Sequence, residues 1–441
     1  MTQDTHDHKL QPAYPRPPKR TGGAHPAHLN WFPYYAGYDS AFVDDVLTAL
    51  NIDTRTTVLD PWNGSGTTTT TAYRLGATVV GCDINPAMVI AAKSALLDPA
   101  TAPSLIPLAN EIAEVASAIT TNCSNDLLSV WYVPLSANAF RRLHRAIWKL
   151  LVDTDRPPSI APTDISHLST LAAFFLTALM RTARHFLVRF IGSNPTWIRR
   201  PATLAHRIRP QPTTVTGQFL TEVHRMTATL ENASANGLKY PQHGNRPKLA
   251  VGSSTSLPYD SSSIDAVVSS PPYLTRIDYA VATKPELAVL GMSDNYAFDT
   301  LRRLMIGAPT VRPVLPTLRS FGRSCDSFLH AVHRHPSKGS HNYYYKLFTQ
   351  YFGDMKVSLN EIARVLRDDG RCVLVVQDSY YKELHADLAQ YICDLALHAG
   401  LSLCDRHDFT CNRNMVRVNS SAYKYRDSAV AVESVLWFSK C

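Results

Sequence analysis

The stretch "TTVLDPWNGSGTTTTTAYRLGATVVGCDINPAMVIAAKSAL", residues 56–96, constrains the fold of this chain more than any other. A short apolar segment runs into a glycine-bearing loop and then a helical spacing. A second apolar segment ends at Asp83 and leads through a turn into another helical spacing. Strands joined by intervening helices must cross over, and crossovers of this kind place them side by side and parallel. The expected fold class is α/β, with a doubly wound, mostly parallel sheet. Later segments carry the same texture. "PKLAVGSSTSLPYDSSSIDAVVSSPPY" reads as two short strands around a serine-rich turn, and "RCVLVVQDS" as a buried strand. In the first of these, the prolines after "AVVSS" require the strand to end at Ser270, because proline has no N–H for a sheet ladder.

A chain of 441 residues makes two or three domain-sized units, or one large domain carrying insertions. Hydrophobic residues at 45% and charged residues at 18% fit a globular protein with a sizeable core. The net charge of +8 admits an anionic partner such as nucleic acid. The eight cysteines include no C-x-x-C pair, which argues against a zinc site and a disulfide framework and points to a reducing compartment. The start is polar and proline-rich, without an apolar signal region. The most apolar stretch, "LSTLAAFFLTALM", is shorter than the ~20 residues a spanning helix needs. A cytoplasmic location with no membrane partner is expected.

Composition shifts divide the chain into a tail over 1–25, an α/β segment with the glycine loop over 26–97, and a helical insertion over 98–245. The α/β texture returns over 246–283, an irregular basic insertion rich in Arg, His and Pro follows over 284–340, and order resumes over 341–441. In the last part a long amphipathic helix is expected up to the Asp369-Gly370 step, and a further helix ending at Gly400. Arg181, Arg184 and Arg189, which follow the most apolar stretch, suit either a solvated helix face or phosphate contacts. The cluster "HAVHRHPSKGSH" lacks carboxylates or cysteines at ligand spacing and reads as an exposed basic loop, so no metal is expected.

In "LDPWNGSGTT" the glycines Gly64 and Gly66 remove Cβ atoms, so the loop can take positive φ and a ligand can approach it closely. The amides that open the next helix, from Thr67, can receive a carboxylate. Asp83, about twenty positions after the loop, sits where an acid grips ribose hydroxyls. A tight strand-to-helix turn explains the glycines alone; loop, spacing and acid together favour an adenosine-type cofactor. The loop matches neither the dinucleotide fingerprint nor the P-loop. Asp60 before the loop suits a ligand with a positive centre and an amino group, both of which S-adenosyl-L-methionine carries.

"DPWNGSGTT" resembles the cofactor loop of the DNA amino-methyltransferases, and Ser270-Pro271-Pro272-Tyr273 resembles their catalytic motif. "SSPPYLTRIDYA", "NEIARVLRDDGRCVLVVQD" and "HPAHLNWFPYYAGY" resemble neighbouring segments of that family; together these cover roughly half of the chain. The resemblance implies a Rossmann-like methyltransferase domain that uses S-adenosyl-L-methionine through Asp60, Pro61, Gly64, Gly66, Thr67 and Asp83. Its substrate would be an exocyclic amine in double-stranded DNA, in a modification or restriction-modification setting. That amine is a poor nucleophile because its lone pair is delocalised. The Ser270 hydroxyl and the Pro271 carbonyl can accept its two N–H groups, rigid prolines hold those acceptors in place, and Tyr273 offers a face to a base flipped out of the duplex. C5 methylation of cytosine would need a cysteine after a proline, and none of the cysteines follows one. The serine of the tetrapeptide leans towards cytosine N4 without excluding adenine N6. An RNA or protein-amide methyltransferase and a non-catalytic DNA-binding relative remain alternatives. Ser253 stands where the family often has an acid, which weakens a cofactor-adenine contact there. His25 and His28 suit a loop packed near the cofactor better than a ligand pair. Both insertions are expected to contact DNA, the larger carrying most base readout.

Overall fold

The structure, a computed structural model, describes residues 15–19, 31–32, 37–121, 126–192, 198–241, 246–274, 277–313, 320–411 and 431–440. The strands are β1 (Thr57–Asp60), β2 (Thr78–Asp83), β3 (Lys248–Val251), β4 (Ile264–Ser269), β5 (Leu366–Gln377), β6 (Ser379–Tyr381), β7 (Leu384–Ala386), β8 (Leu401–Cys411) and β9 (Ala431–Lys440). Seven of them form one sheet in the order β3-β2-β1-β4-β5-β9-β8, while β6 and β7 form a separate hairpin. Pairings from β3 through β5 are parallel, and β9 runs antiparallel to both of its neighbours. This is the mostly parallel, Rossmann-like α/β sheet expected from the sequence.

Strand side chains alternate between two cores. Val58, Val79, Val268, Val373 and Val435 face one side, where α1 (Ser40–Ala49) and α2 (Thr67–Arg74) cover them. Leu59, Val80, Val267, Leu374 and Leu436 face the other, with α12 (Arg323–Arg334), α13 (Tyr345–Val365) and α14 (Leu388–His398). α1 opens with the Asp39 carboxylate accepting the Ala41 N–H at 2.9 Å. α3 (Pro86–Ala95) is buried along its whole length, which explains why its sequence lacks a polar face.

The described residues between 98 and 245 hold α4 (Ala102–Ala118), α5 (Pro134–Leu151), α6 (Pro162–His167), α7 (Thr170–Phe186) and α8 (Pro212–Ala235). They do not form a separate layer. α7 packs its apolar run between α3 and α8, so one continuous core joins this block to the sheet. Buried Lys93 of α3 ties the two together by donating to the carbonyls of Ser166 and Leu168 at 2.6 and 2.9 Å. Arg181 and Arg184 are neither solvated nor placed to track phosphates. Arg181 pairs with Glu222 at 2.7 Å and donates to the Trp31 carbonyl; Arg184 pairs with fully buried Glu286 at 2.5 Å and donates to the Ala282 carbonyl at 2.9 Å. Arg189 donates to the His206 carbonyl at 2.8 Å.

Four sequence expectations need correction. The stretch 284–340 is not irregular: besides α12 it holds α10 (Lys284–Val289) and α11 (Asn295–Leu304), after the short α9 (Tyr279–Ala282). The histidine-rich segment is the end of α12 and the turn after it, where buried His335 meets Glu383 of the β6–β7 connection at 2.8 Å. The long helix ends at Val365 and not at Asp369-Gly370. Leu366 pairs with Ile264 of β4 and Arg371 with Ala266, so residues 367–370 bulge out of a strand already begun. Finally, β3 and β4 are not neighbours, since β2 and β1 lie between them. The serine-rich stretch crosses along α13, where Glu361 accepts the Leu257 N–H and Arg364 donates to the carbonyls of Leu257 and Tyr259.

No helix among the described residues is long and apolar enough to cross a membrane. Removing one partner of the buried Arg184–Glu286 pair strands a desolvated charge. Glu286→Ala is expected to lower stability by about 3 kcal/mol in chemical denaturation, and Glu286→Gln, which keeps an acceptor, by less.

Candidate functional site

Strand order reverses between β1 and β4, the place where open parallel sheets carry a ligand crevice beyond their carboxyl ends. β1 ends on Asp60 and β4 on Ser269, one residue earlier than the prolines alone suggested. The two side chains meet there, both buried, with Ser269 Oγ donating to Asp60 Oδ1 at 2.5 Å. The Trp62 N–H donates to the same oxygen at 3.1 Å. Beyond Asp60 the loop turns through Gly64 at φ +47° and Gly66 at φ +87°. α2 then opens with five threonines, poor helix formers by propensity, whose hydroxyls serve the loop and its surroundings. Thr69 Oγ1 donates to Asn63 Oδ1 at 2.9 Å, and Thr68 Oγ1 is hydrogen-bonded to the Tyr38 hydroxyl. Asp83, at the end of β2, accepts the Gly64 N–H at 2.9 Å and the Asn85 N–H at 2.8 Å.

These elements enclose a cavity of about 1290 Å³, counting its open mouth. Asp60, Pro61, Gly64, Thr67 and Asp83 line it together with Ser270, Pro271, Pro272 and Tyr273, so two motifs some two hundred residues apart share one space. Gly66 does not face it. A Cβ there would lie 2.8 Å from the Ala92 Cβ, so this glycine lets the loop close on α3. Phe32, Gly37 and Tyr38 line the cavity from the segment that precedes α1, while His25 and His28 lie outside the described residues. Ser253, the residue in the place of an acid, also lines it, with its hydroxyl bonded to Thr255 Oγ1 at 2.7 Å. Arg184 reaches the wall from the helical block, where its guanidinium stands 5.8 Å from the Phe32 ring centroid. Among the described residues no group of three or more His, Cys, Asp or Glu is arranged to hold a metal ion.

Burial pushes the Asp60 carboxyl up to about 6, against the opposing hydrogen bonds from Ser269, the Trp62 amide and Thr68. Asp83 keeps an edge open to the cavity. Crowding by the protein on its other sides still pushes it up to about 6, against the Asn85 and Gly64 amides. Two carboxylates held short of solvent beside a glycine loop form a site that a cation would complete.

The tetrapeptide is held from outside itself. The Tyr351 hydroxyl, on α13, donates to the Pro272 carbonyl at 2.8 Å, and the Tyr279 hydroxyl accepts the Tyr273 N–H at 3.3 Å. Gly307, at φ +76°, lies so close that a Cβ would come 2.6 Å from the Tyr273 carbonyl oxygen. Sequence reasoning did not single out these three supports. Tyr279 stood within the quoted "IDYA", but Tyr351 reads as an ordinary core position of an amphipathic helix and Gly307 as a loop residue. Arg184 reads in the sequence as a charge near the end of a helix, and only the fold shows that it reaches the cavity wall.

The fold and the cavity define a Rossmann-like α/β protein with a crevice at its topological switch point. No family model matches the chain. Over 62 residues, 14% of its length, it is 40% identical to the Type II methyltransferase M.BsoBI of Geobacillus stearothermophilus. The matched stretch spans 12% of that protein.

Two outcomes are expected. Since Asp60 and Asp83 have carboxyls raised from 3.8 to about 6, the folded chain holds protons across that window that the unfolded chain has released. Stability of the ligand-free protein should therefore fall as pH rises from about 4 to about 6, and Asp60→Asn should raise the unfolding temperature at pH 7.5 by a few degrees in calorimetry. Tyr351→Phe releases the Pro272 carbonyl without opening the core and should lower stability by about 1 kcal/mol in chemical denaturation.

Proposed function

We propose that this protein transfers a methyl group from S-adenosyl-L-methionine to an exocyclic amine of a base in double-stranded DNA, with cytosine N4 as the target in preference to adenine N6. The observation that carries this reading is the Ser269–Asp60 hydrogen bond, which couples the end of the glycine loop's strand to the start of the Ser-Pro-Pro-Tyr turn inside one cavity. The residues present fit the cofactor. Asp83 would receive its ribose hydroxyls, Asp60 and the amides of Ser65 and Thr67 would hold its charged amino-acid end, Gly64 and Gly66 would give the loop its shape through positive φ, and Pro61 would pack the loop against it. When bound, S-adenosyl-L-methionine supplies an electrophilic methyl group on a sulfonium centre.

The remaining work falls to the tetrapeptide. Ser270 and Pro271 offer two acceptors for the amine's hydrogens, which favours a pyramidal nitrogen with its lone pair turned outward. Pro272, with its carbonyl tied to Tyr351, keeps the turn rigid, so those acceptors need no reorganisation at the moment of reaction. Tyr273 would stack on a base withdrawn from the duplex, where its amine becomes reachable. The local similarity to a Type II methyltransferase supports a modification role, and the net charge of +8 suits a nucleic-acid partner.

Radiolabelled methyl transfer offered to duplex DNA, RNA and protein extract separates the substrate classes, and label appearing in RNA or protein alone would overturn the assignment. Mass spectrometry of digested DNA should find N4-methylcytosine; N6-methyladenine alone would overturn the choice of base. Tyr273→Ala should abolish transfer while S-adenosylhomocysteine binds as before, and Asp83→Ala should show the reverse emphasis, with a large loss of calorimetric affinity.

A further inference from the structure

α11 presents an exposed stripe that ends at the mouth of the cavity. Tyr296, Thr300, Arg303 and Leu304 recur at the spacing of one helix face, and all four are exposed, Tyr296 at 79% and Leu304 at 54%. The helix is firmly seated on its other side. Phe298 is buried beneath the Lys284 ammonium, 4.0 Å from the ring centroid, and Arg302 pairs with buried Asp278 at 2.6 Å. Asp278 in turn caps the short helix after the tetrapeptide by accepting the Val281 N–H. The chain beyond α11 then crosses the tetrapeptide, with Leu304, Met305 and Ile306 lining the cavity and Gly307 packed against the Tyr273 carbonyl.

Leu304 keeps a large aliphatic side chain in water at the lip of this crevice, while its neighbours Met305 and Ile306 are buried. We propose that Leu304 is the wedge that enters the base stack as the target base leaves it, and that Arg303 beside it contacts the flanking phosphate. This rests on the reading of the cavity as a site for a base withdrawn from duplex DNA. Extraction leaves an apolar gap between two stacked neighbours, and an exposed leucine loses no internal packing by filling it. Arg303 forms no ion pair among the described residues, so its charge is available to a phosphate. The rigid seating of α11 means that neither side chain has to be ordered by the DNA.

The test uses the full chain. Plasmid DNA methylated by the wild-type protein is sequenced to locate the modified position, and duplexes carrying that sequence are made with the target base paired or mismatched. Leu304→Ala should lower kcat/KM on the paired duplex about tenfold or more and change the mismatched duplex by less than about twofold, since a mismatched base leaves the stack readily. Leu304→Met should recover most of the loss. Arg303→Ala should weaken binding to both duplexes alike and reduce the slope of log affinity against log salt by about one. Unchanged S-adenosylhomocysteine affinity in each variant reports an intact fold. Equal losses on the two duplexes, or no loss on either, overturn the wedge, and an unchanged salt slope overturns the phosphate contact. A wild-type protein that methylates no DNA overturns the functional reading itself, a separate result.

Discussion

The hydrogen bond from Ser269 to Asp60 joins the ends of β1 and β4 at the point where the sheet changes its direction of winding. Each partner is costly to bury alone. A carboxylate without a donor would be driven to protonate, and a hydroxyl without an acceptor would lose its water for nothing. Together they set how far apart the glycine loop and the proline turn can stand. Asp60 remains raised to about 6 even so, which means the pair leaves the carboxylate short of its preferred charge compensation.

The other contacts at the site extend this arrangement outward. Asp83 accepts the Gly64 amide and so holds the loop in the form that opens α2. Asn85 Nδ2 donates to Thr283 Oγ1 at 2.8 Å, linking the cofactor side of the cavity to the helices that follow the tetrapeptide. Arg184 and Glu286 connect that region to α7. The helical block is thus part of the cavity's frame, because its central helix shares one core with α3 and sends a guanidinium into the wall. The tetrapeptide is gripped on a different side, by Tyr351 from α13 and by the close approach of Gly307.

A division of labour follows. The sheet's strand ends present acids, hydroxyls and amides at fixed spacing, and helices on both faces clamp the segments between them. α11, like several other helices, has a buried face that anchors it and an outer face in solvent, and that outer face lies beside the mouth.

Period and punctuation were enough to read the parallel α/β class, the glycine loop, the acid on β2 and the proline turn, because each depends on residues adjacent in the chain. Alternating apolar residues place Val58 and Leu59 on opposite faces wherever their strand pairs, and glycine or proline restricts the backbone locally. Tertiary structure alone decided what depends on distant partners. The helix before β5 stops at Val365 because Leu366 is drawn into pairing with Ile264, not because of the glycine four residues on. Arg181 and Arg184 become buried struts because Glu222 and Glu286 arrive from other segments, and the same arginines on an isolated helix would face water. The stretch 284–340 looks irregular in sequence because its helices are short, and their order comes from packing, α10 against α7, α11 against α9 and α12 against α13. Local sequence sets the menu of backbone shapes; long-range burial and charge pairing, which no window of the sequence contains, select among them.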